Sequence, residues 1–240
     1  MNCILLEESD MRGGSGRVRL TGRRGRHVRE VHRVAPGDAL RVGLLGGRLG
    51  SARVLRVDDA ALELAVRLDR DPPPRLPLRL VLALPRPRVL RRVLVAVASL
   101  GVEELVLLNS WRVEKSYWQS DSLDAPRIEA QLRLGLELAG DTRLPRVRLE
   151  RLFRPFVEGA LSEEAADRRS FVAHPAAPRA CPRGIDGPAT LAVGPEGGFI
   201  QAELDSFGRA GFETVCLGGA LGDRVLGVET AVAALVSRLF

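Results

Sequence analysis

Apolar and polar residues alternate over short stretches in the first part of the chain. Between Arg17 and Leu68, the stretches RVRL, HVREV, ALRVGLL, SARVLRV and ALELAVRL are separated by turn-forming segments rich in Gly, Pro and Asp. Strands of a small barrel or sandwich typically show β-branched residues alternating with polar ones between turns. The pattern therefore predicts a small all-β domain over residues 1–70.

A proline-rich segment follows this domain. Residues 69–77 read DRDPPPRLP and contain four prolines, which neither a helix interior nor a central strand accommodates. Such a composition favours an extended spacer. We place a linker at residues 71–77 and a second domain at residues 78–240.

The second domain alternates strand-like and helix-like segments. Short apolar runs predict strands, and a 3.6-residue apolar period predicts helices between them. The predicted strands are 78–84, 105–108, 171–173, 191–193 and 214–217, and the predicted helices are 87–100, 125–140, 202–210 and 229–239. Because strands and helices alternate, we expect an α/β domain with a mostly parallel sheet covered by helices.

Two glycine-rich loops of the second domain are candidates for a ligand site. The sequence LAVGPEGGF (191–199) leads from a strand into a glycine-rich turn, and CLGGALGDRVLGVETA (216–231) forms a second such connection. Glycine lets backbone groups approach a ligand, so a side chain at Gly197 is expected to occupy ligand space. In open α/β sheets, ligands bind beyond the carboxyl ends of the strands, where these loops should meet. A tight turn without a ligand is the alternative for the first loop alone.

Several other function classes lose support. The chain has neither GxxxxGK[ST] nor the GxGxxG of a dinucleotide-binding unit, which disfavours ATP hydrolysis and hydride transfer. Cys3, Cys181 and Cys216 lack the spacing of a zinc site or disulfide framework. The apolar runs are too short to span a membrane. The acidic N-terminus does not suggest export, so a cytoplasmic location is expected.

The paired glycine-rich loops resemble a known family. GPEGGF followed by LGDRVLGVETA is similar to the C-terminal motifs of RsmE-type methyltransferases in the SPOUT superfamily. The similarity covers most of the chain. Further matches are HVREV with Arg33 and Gly37-Asp38, Leu100-Gly101-Val102, Asn109-Ser110 with Arg112, and Glu137 followed by Arg143-Leu144-Pro145. The chain departs from the family pattern at Trp111, where the family has Glu, and at Gly227, where it has Arg.

The resemblance implies a fold and an activity. The expected protein is α/β, with a small PUA-like β-barrel that binds RNA, followed by a SPOUT-type C-terminal domain with a trefoil knot. It is expected to form a homodimer and to use S-adenosylmethionine, without a metal, to methylate N3 of a uridine in 16S ribosomal RNA of the small subunit. The alternatives are the same fold acting on another RNA and a non-catalytic RNA-binding or ribosome assembly factor.

The resemblance also implies roles for individual residues. The residues expected to bind the cofactor are His174, Pro175, Val193, Gly194, Glu196, Gly197, Gly198, Leu217, Gly218, Val225, Leu226 and Gly227. Arg143 and Arg112 are candidates for stabilising the anion that develops on the uracil ring, and Glu137 for orienting an arginine. Each has a structural alternative as an ordinary surface or loop residue. Glu229 is expected to be a helix-start carboxylate or a structural partner.

Charge adds a candidate RNA-binding surface. The net charge is +6 and the isoelectric point is near 10.3, which favours a polyanionic partner. Residues 12–33 contain eight arginines and one acid, which predicts a basic face near the N-terminus. The candidate RNA-binding residues are Arg23, Arg24, Arg26, His27, Arg29 and Arg33. The alternative is genome-wide codon bias, because Lys115 is the single lysine of the chain.

Three aromatic residues cluster around that lysine. Trp111, Tyr117 and Trp118 lie within eight residues of one another. Aromatic rings beside basic groups can stack an extruded base. They can equally fill a subunit interface. Because a homodimer is expected, the interface is the favoured interpretation.

Overall fold

The chain folds into two compact units. The computed structural model describes residues 2–12, 16–164, 167–219 and 224–240. The first unit comprises Met1–Pro74 with Arg133–Leu144, and the second comprises Arg75–Leu132 with Pro145–Phe240. The fold is therefore mixed, and a segment from the middle of the sequence completes the first unit.

The first unit is built on a six-stranded sheet. Its strands are β1 (Ile4–Leu6), β2 (Met11–Arg12), β3 (Arg17–Leu20), β4 (Ala39–Leu44), β5 (Leu49–Val57) and β6 (Leu62–Arg70), in the order β1-β4-β5-β6-β3-β2. β1 pairs with β4 in parallel, and the other pairs are antiparallel. The pairing of β5 with β6 shifts register twice, at Leu49/Gly50 and at Val54/Arg56. Irregularities of this kind bend a strand, which lets the sheet curl around its core.

The stretch HVREV, predicted to be a strand, is helical. Helix α1 (Gly22–His27) continues directly into a π-helical turn, Val28–His32. Val28 and Val31 are three residues apart, a spacing that suits a helix better than the two-residue period of a strand. In the structure Val28 is buried and Val31 is 62% exposed. The prediction of an all-β first domain was therefore wrong for this segment.

The segment 133–144 joins the first unit through backbone hydrogen bonds. The carbonyl oxygen of Glu137 accepts the N–H groups of Asn2 and Cys3, both at 3.0 Å. The Gly46 N–H donates to the carbonyl oxygen of Thr142 at 2.7 Å, and the Thr142 hydroxyl donates to the Gly47 carbonyl at 2.6 Å. These contacts satisfy polar groups at the edge of the sheet.

The second unit confirms the predicted parallel α/β architecture. Its strands are β7 (Leu76–Ala83), β8 (Val102–Leu108), β9 (Arg146–Glu150), β10 (Arg169–Ala173), β11 (Ala189–Val193) and β12 (Glu213–Val215), in the order β12-β10-β11-β7-β8-β9. Every described pair in this sheet is parallel. The helices are α2 (Pro87–Ser99), α3 (Ala125–Ala139, whose residues from Arg133 onward belong to the first unit), α4 (Phe153–Pro155), α5 (Leu161–Glu164), α6 (Gln201–Arg209) and α7 (Val228–Leu239). The edge strand β9 and the helical stretch after it were not predicted from the sequence.

The strand order brings the candidate loops together. β11 and β12 flank β10 on opposite sides and run parallel to it, so all three carboxyl ends lie at one edge of the sheet. The connection from β10 to β11 is held by the C-terminal segments of the chain. Ile185 N–H donates to Leu239 at 2.7 Å, and Cys181 N–H donates to Cys216 at 2.7 Å, both through backbone carbonyls.

A buried ion pair joins the neighbouring strands β7 and β8, on the β9 side of the sheet. Arg79 on β7 lies 2.5 Å from the carboxylate of Glu104 on β8, and 2.6 Å from that of Glu164 at the end of α5. The side chains of Arg79 and Glu104 are 9% and 6% exposed. A buried charge is tolerated only when it is paired, so this contact fixes the helical stretch against the sheet.

No helix within the described ranges is long and apolar enough to cross a membrane.

Candidate functional site

A cavity lies at the carboxyl ends of β10, β11 and β12. Its volume is about 480 Å³, within the range of small-molecule sites. Its described wall consists of the ends of the three strands, the loops that follow them, and the first turns of α7. The lining residues are Ala173, His174, Pro175, Ala176, Val193, Gly194, Pro195, Glu196, Gly197, Gly198, Val215, Cys216, Leu217, Arg224, Val225, Leu226, Gly227, Val228, Ala231 and Leu235.

The structure brings eleven of the twelve proposed cofactor residues together in this wall. Gly218 is the exception among them. It has a φ of +66°, and a Cβ there would lie 2.6 Å from the Cβ of Ala180. Its missing side chain allows the chain to pack against Ala180.

Several lining residues were not predicted. Cys216 and Arg224 lie inside the second glycine-rich stretch, so the loop was found although these side chains were not singled out. Ala231 and Leu235 are one helical turn apart on α7, and Val228 precedes them by three residues. That i, i+3, i+7 spacing on one helix face was the available signal.

The turn after β11 requires glycine at two positions. The Gly198 N–H donates to the carbonyl oxygen of Pro195 at 2.8 Å, which closes the turn. A Cβ at Gly194 would lie 3.0 Å from the Cα of Gly198 and 3.0 Å from the backbone nitrogen of Phe199. Gly198 has a φ of +71°, in the left-handed region that favours glycine.

Two arginines hold this turn from outside. Arg112 donates a hydrogen bond from Nη1 to the carbonyl oxygen of Gly197. The carboxylate of Glu196 accepts the backbone N–H of Arg86, which precedes α2, at 3.1 Å. A Cβ at Gly197 would lie 3.0 Å from the Cδ of Arg112. The space that the sequence interpretation assigned to a ligand is thus occupied, on that side, by an arginine side chain.

Arg112 sits at the tip of an anchored turn after β8. The turn is closed by a hydrogen bond from Val113 N–H to the Ser110 carbonyl at 3.1 Å. The buried carboxylate of Glu203 accepts the backbone N–H of Trp111 at 2.8 Å and that of Ile200 at 3.0 Å. One carboxylate therefore ties the turn that carries Arg112 to the start of α6.

The other walls are fixed in similar ways. His174 donates its backbone N–H to the Val215 carbonyl at 2.9 Å, and its Nδ1 accepts the Ala176 N–H at 3.3 Å. Glu229, in the first turn of α7, forms an ion pair with Arg92 of α2 at 2.8 Å. This contact places Glu229 as a structural partner, one of the two roles expected for it.

Comparison with known proteins identifies the second unit. Residues 72–240 match the family described as an RNA methyltransferase domain. The chain belongs to this RNA methyltransferase family. It is 28% identical over 239 residues to the ribosomal RNA small subunit methyltransferase E of Treponema pallidum (strain Nichols), covering 98% of this chain and 88% of that protein.

Solved structures share the fold of the methyltransferase. A ribosomal RNA small subunit methyltransferase E from Neisseria gonorrhoeae, bound to S-adenosylmethionine, superposes with a TM-score of 0.72 at 22% identity, covering 98% of this chain and 95% of that one. A Legionella pneumophila protein in complex with the cofactor S-adenosylmethionine gives a TM-score of 0.72 at 22% identity, covering 99% and 96%.

The other two candidate catalytic residues of the methyltransferase lie in the first unit. The guanidinium of Arg143 donates to the carbonyl oxygen of Pro73, and its Nε lies 3.9 Å from the carboxylate of Asp141. Glu137 is 3% exposed and lies near the end of α3. Arg112, in the second unit, is joined directly to the cavity wall through Gly197.

The basic segment of the methyltransferase contains two kinds of arginine. Arg24 pairs with the carboxylate of Asp10 at 2.7 and 3.0 Å and donates to the Leu5 carbonyl at 2.9 Å, so its charge is used within the first unit. Arg24 and Arg133 also hold the pKa of Glu7 below its ordinary value, chiefly through the hydrogen bond from Arg133.

The remaining members of this segment differ in exposure. Arg29 donates to the Asp58 carbonyl at 2.9 Å, and His27 is half-buried. Arg26 and Arg33 are exposed, and Arg33 ends the helical segment with a φ of +50°. The side chain of Arg23 lies outside the described part of the structure.

The three cysteines of the methyltransferase are free thiols. Burial raises the pKa of Cys3 and of Cys181 to about 11. Cys216 is half-buried and lines the cavity. Within the described residues, no group of three His, Cys, Asp or Glu side chains is placed to hold a metal ion.

Proposed function

We propose that this protein is an S-adenosylmethionine-dependent methyltransferase that methylates N3 of a uridine in 16S ribosomal RNA. The observation that supports it most is the cavity at the carboxyl ends of β10, β11 and β12, walled by the two glycine-rich loops. The names of its relatives in Treponema and Neisseria supply the substrate class. A cytoplasmic location, where ribosomal RNA is found, is part of this proposal.

The residues of the cavity suit this cofactor. Apolar side chains, among them Val193, Val215 and Leu235, offer surfaces for an adenine ring, and the glycines expose backbone N–H and carbonyl groups to its polar edges. S-adenosylmethionine supplies, when bound, an electrophilic methyl group on a sulfonium. The loops 193–198 and 224–227 and the His174-Pro175 wall would hold it in place.

The protein mainly has to align the two reactants. Positioning a nucleophile against the methyl group supplies much of the barrier reduction in such a displacement. Ring nitrogen 3 of uracil must lose its proton as the new bond to carbon forms, and a nearby cation favours the resulting anion. We assign this role first to Arg112, because one of its five N–H donors is bound to Gly197 and so holds the guanidinium at the cavity wall. Arg143, with Glu137 as its positioning partner, is the second candidate.

The finer features of the fold belong to the same proposal. The curled sheet of the first unit and the exposed Arg26 and Arg33 support a PUA-like barrel that binds RNA. The hydrogen bonds from the 174–188 connection to Cys216 and to Leu239 support a trefoil knot, since the last strand and last helix both hold that loop. A homodimer, in which each site borrows residues from the partner subunit, completes the proposal.

Two measurements test the function. Calorimetry with S-adenosylmethionine should show one site per chain with saturable binding. Incubation of small ribosomal subunits with tritiated S-adenosylmethionine, followed by nucleoside analysis, should then yield 3-methyluridine. Binding without transfer would support a non-catalytic RNA-binding factor, and a different methylated nucleoside would support the same fold acting on another position.

A further inference from the structure

An exposed tryptophan lies in the turn that contacts the cavity wall through Arg112. Trp111 is 79% exposed, and it is the one aromatic residue among the large apolar residues exposed in the described ranges. The second tryptophan, Trp118, is half-buried and donates its indole N–H to Asn109 at 2.9 Å. An indole exposed to water lacks the large favourable free energy that its burial would provide. The exposure of Trp111 therefore calls for a functional explanation.

The backbone of Trp111 is held rigidly. Trp111 and Arg112 are the two central residues of the turn closed by Ser110 and Val113, whose side chains are buried. The Trp111 N–H is bound by the buried carboxylate of Glu203. The ring is therefore presented from a fixed point, and a partner that stacks on it pays little for ordering the protein.

The turn touches the wall of the cavity. Arg112, the next residue, donates to the carbonyl oxygen of Gly197, which lines the cavity. Trp111 is thus the neighbour, along the chain, of a residue that directly contacts the loop 193–198.

The surroundings of Trp111 are polar and charged. Its exposed neighbours along the chain are Arg112, Glu114, Lys115 and Ser116, and residues 109–124 contain no other large exposed apolar side chain. A subunit interface would be expected to surround such a ring with further apolar residues. A single exposed ring with the cations Arg112 and Lys115 close to it in the chain is instead the arrangement that stacks a nucleobase next to its phosphates.

We propose that Trp111 is a stacking platform for an unpaired base of the RNA substrate, at or next to the uridine that enters the cavity. The inference rests on the proposed function and adds a substrate-binding residue to it. Base stacking on an aromatic residue accounts for about a 5- to 150-fold change in affinity per base on substitution by alanine. RNA is the expected occupant of this surface, and a second copy of the chain is the competing outcome.

Fluorescence tests the contact directly, because the chain has two tryptophans. Trp118→Phe leaves Trp111 as the single indole, and Trp111→Phe leaves Trp118. Addition of a single-stranded hexauridine should quench the emission of the Trp118→Phe protein saturably and leave that of the Trp111→Phe protein unchanged. Bound oligonucleotide without quenching in the Trp118→Phe protein would overturn the proposal.

Kinetics with small ribosomal subunits separates stacking from other roles. Trp111→Ala should raise the KM for RNA by about 5- to 150-fold, with the Kd for S-adenosylmethionine unchanged, and Trp111→Phe should restore most of the loss. If Trp111→Ala instead lowered the sedimentation coefficient and left the KM unchanged, the ring would belong to a subunit interface and the proposal would fail. A wild-type protein that binds no S-adenosylmethionine would refute the proposed function, whereas the fluorescence result would still decide the role of Trp111.

Discussion

Arg112 donates a hydrogen bond to the carbonyl oxygen of Gly197, and the absence of a side chain at Gly197 leaves the room that the arginine occupies. The contact joins the turn after β8 to the turn after β11. These two turns come from separate parts of the sequence, and their union shapes one side of the cavity. The geometry of the cofactor loop therefore depends on a residue outside it.

Loss of this arginine should weaken cofactor binding. Arg112→Ala removes a hydrogen bond that contributes about 0.5–1.5 kcal/mol, so the Kd for S-adenosylmethionine should rise by about 2- to 12-fold in calorimetry. Arg67→Ala is the control, since its side chain is 82% exposed and belongs to the first unit; it should change nothing. An unchanged Kd together with a lower kcat would mean that Arg112 acts on the RNA alone.

Alanine at two glycines should have opposite effects. In Gly194→Ala the new Cβ would lie 3.0 Å from backbone atoms of Gly198 and Phe199, so the free energy of unfolding should fall by about 1–3 kcal/mol and cofactor binding should be lost. In Gly208→Ala, within α6, no atom beyond the neighbouring residues and the helix's own backbone lies within 4 Å of the new Cβ, and stability should rise by about 0.4–1 kcal/mol. Urea denaturation and calorimetry measure both. Equal behaviour of the two variants would contradict the turn geometry.

The predictability of these features from the sequence differs from element to element. The strand before Gly194 and the helix before Gly101 were found because short apolar runs and glycine punctuation act locally. The loops 193–198 and 216–227 were located because parallel strands expose their carboxyl ends at one edge. The contact of Arg112 with Gly197 was not predicted, since 85 residues separate the two and no periodicity connects them.

Other failures have a similar origin. The HVREV stretch was predicted to be a strand because its two valines and its arginine suit either state, and tertiary packing decided in favour of a helix. β9 was not predicted because its sequence, RVRLE, has three charged residues and lacks the apolar run that identified the other strands. The charge of Arg24 was counted as available for RNA, although Asp10 neutralises it within the fold.

Substitution should distinguish Arg24, which is paired within the fold, from the exposed Arg26 and Arg33 of the basic segment. Arg24→Ala leaves the carboxylate of Asp10, which is 8% exposed, without its cation, and should lower the free energy of unfolding by about 1.5–3 kcal/mol. Arg26→Glu and Arg33→Glu change exposed side chains, so stability should hold while RNA affinity and its salt dependence fall. Filter binding over a series of salt concentrations tests this. An unaltered salt slope in both charge-reversed variants would remove these residues from the RNA interface.

Breaking the buried ion pair of the second unit should lower the free energy of unfolding far more than breaking an exposed pair. Glu104→Ala leaves the buried charge of Arg79 with Glu164 as its remaining carboxylate, and about 3–5 kcal/mol of stability should be lost. Asp71→Ala breaks the pair with Arg48, whose side chains are 79% and 58% exposed, and should cost less than about 1 kcal/mol. Thermal and urea denaturation of both proteins provide the comparison. Similar losses would show that Arg79 is stabilised mainly by other groups.

Alkaline pH should destabilise the protein through two buried thiols. Burial raises the pKa of Cys3 and Cys181 from 9.0 to about 11, so the folded state keeps protons that the unfolded state releases. Their contribution is complete below about pH 9 and is lost as pH rises toward 11. The chain has one lysine and one tyrosine, so few other side chains titrate in this window.

The free energy of unfolding, measured in urea from pH 8 to 11, should therefore decline, and the decline should be smaller in Cys181→Ala.

Under native conditions at pH 8, a thiol reagent should modify Cys216 before the other two cysteines, because Cys216 is half-buried at the cavity. Equal reactivity of all three thiols would contradict the burial of Cys3 and Cys181.

Strand β9 lies at the open end of the parallel sheet, and its backbone is paired on one side, by β8. Arg146, Arg148 and Glu150 occupy alternate positions along it. A foreign strand that docked there would have to bring its own side chains against a row of fixed charges. These charges oppose the pairing of β9 with a strand of another molecule, and replacing both arginines with valine should make the protein more prone to aggregate.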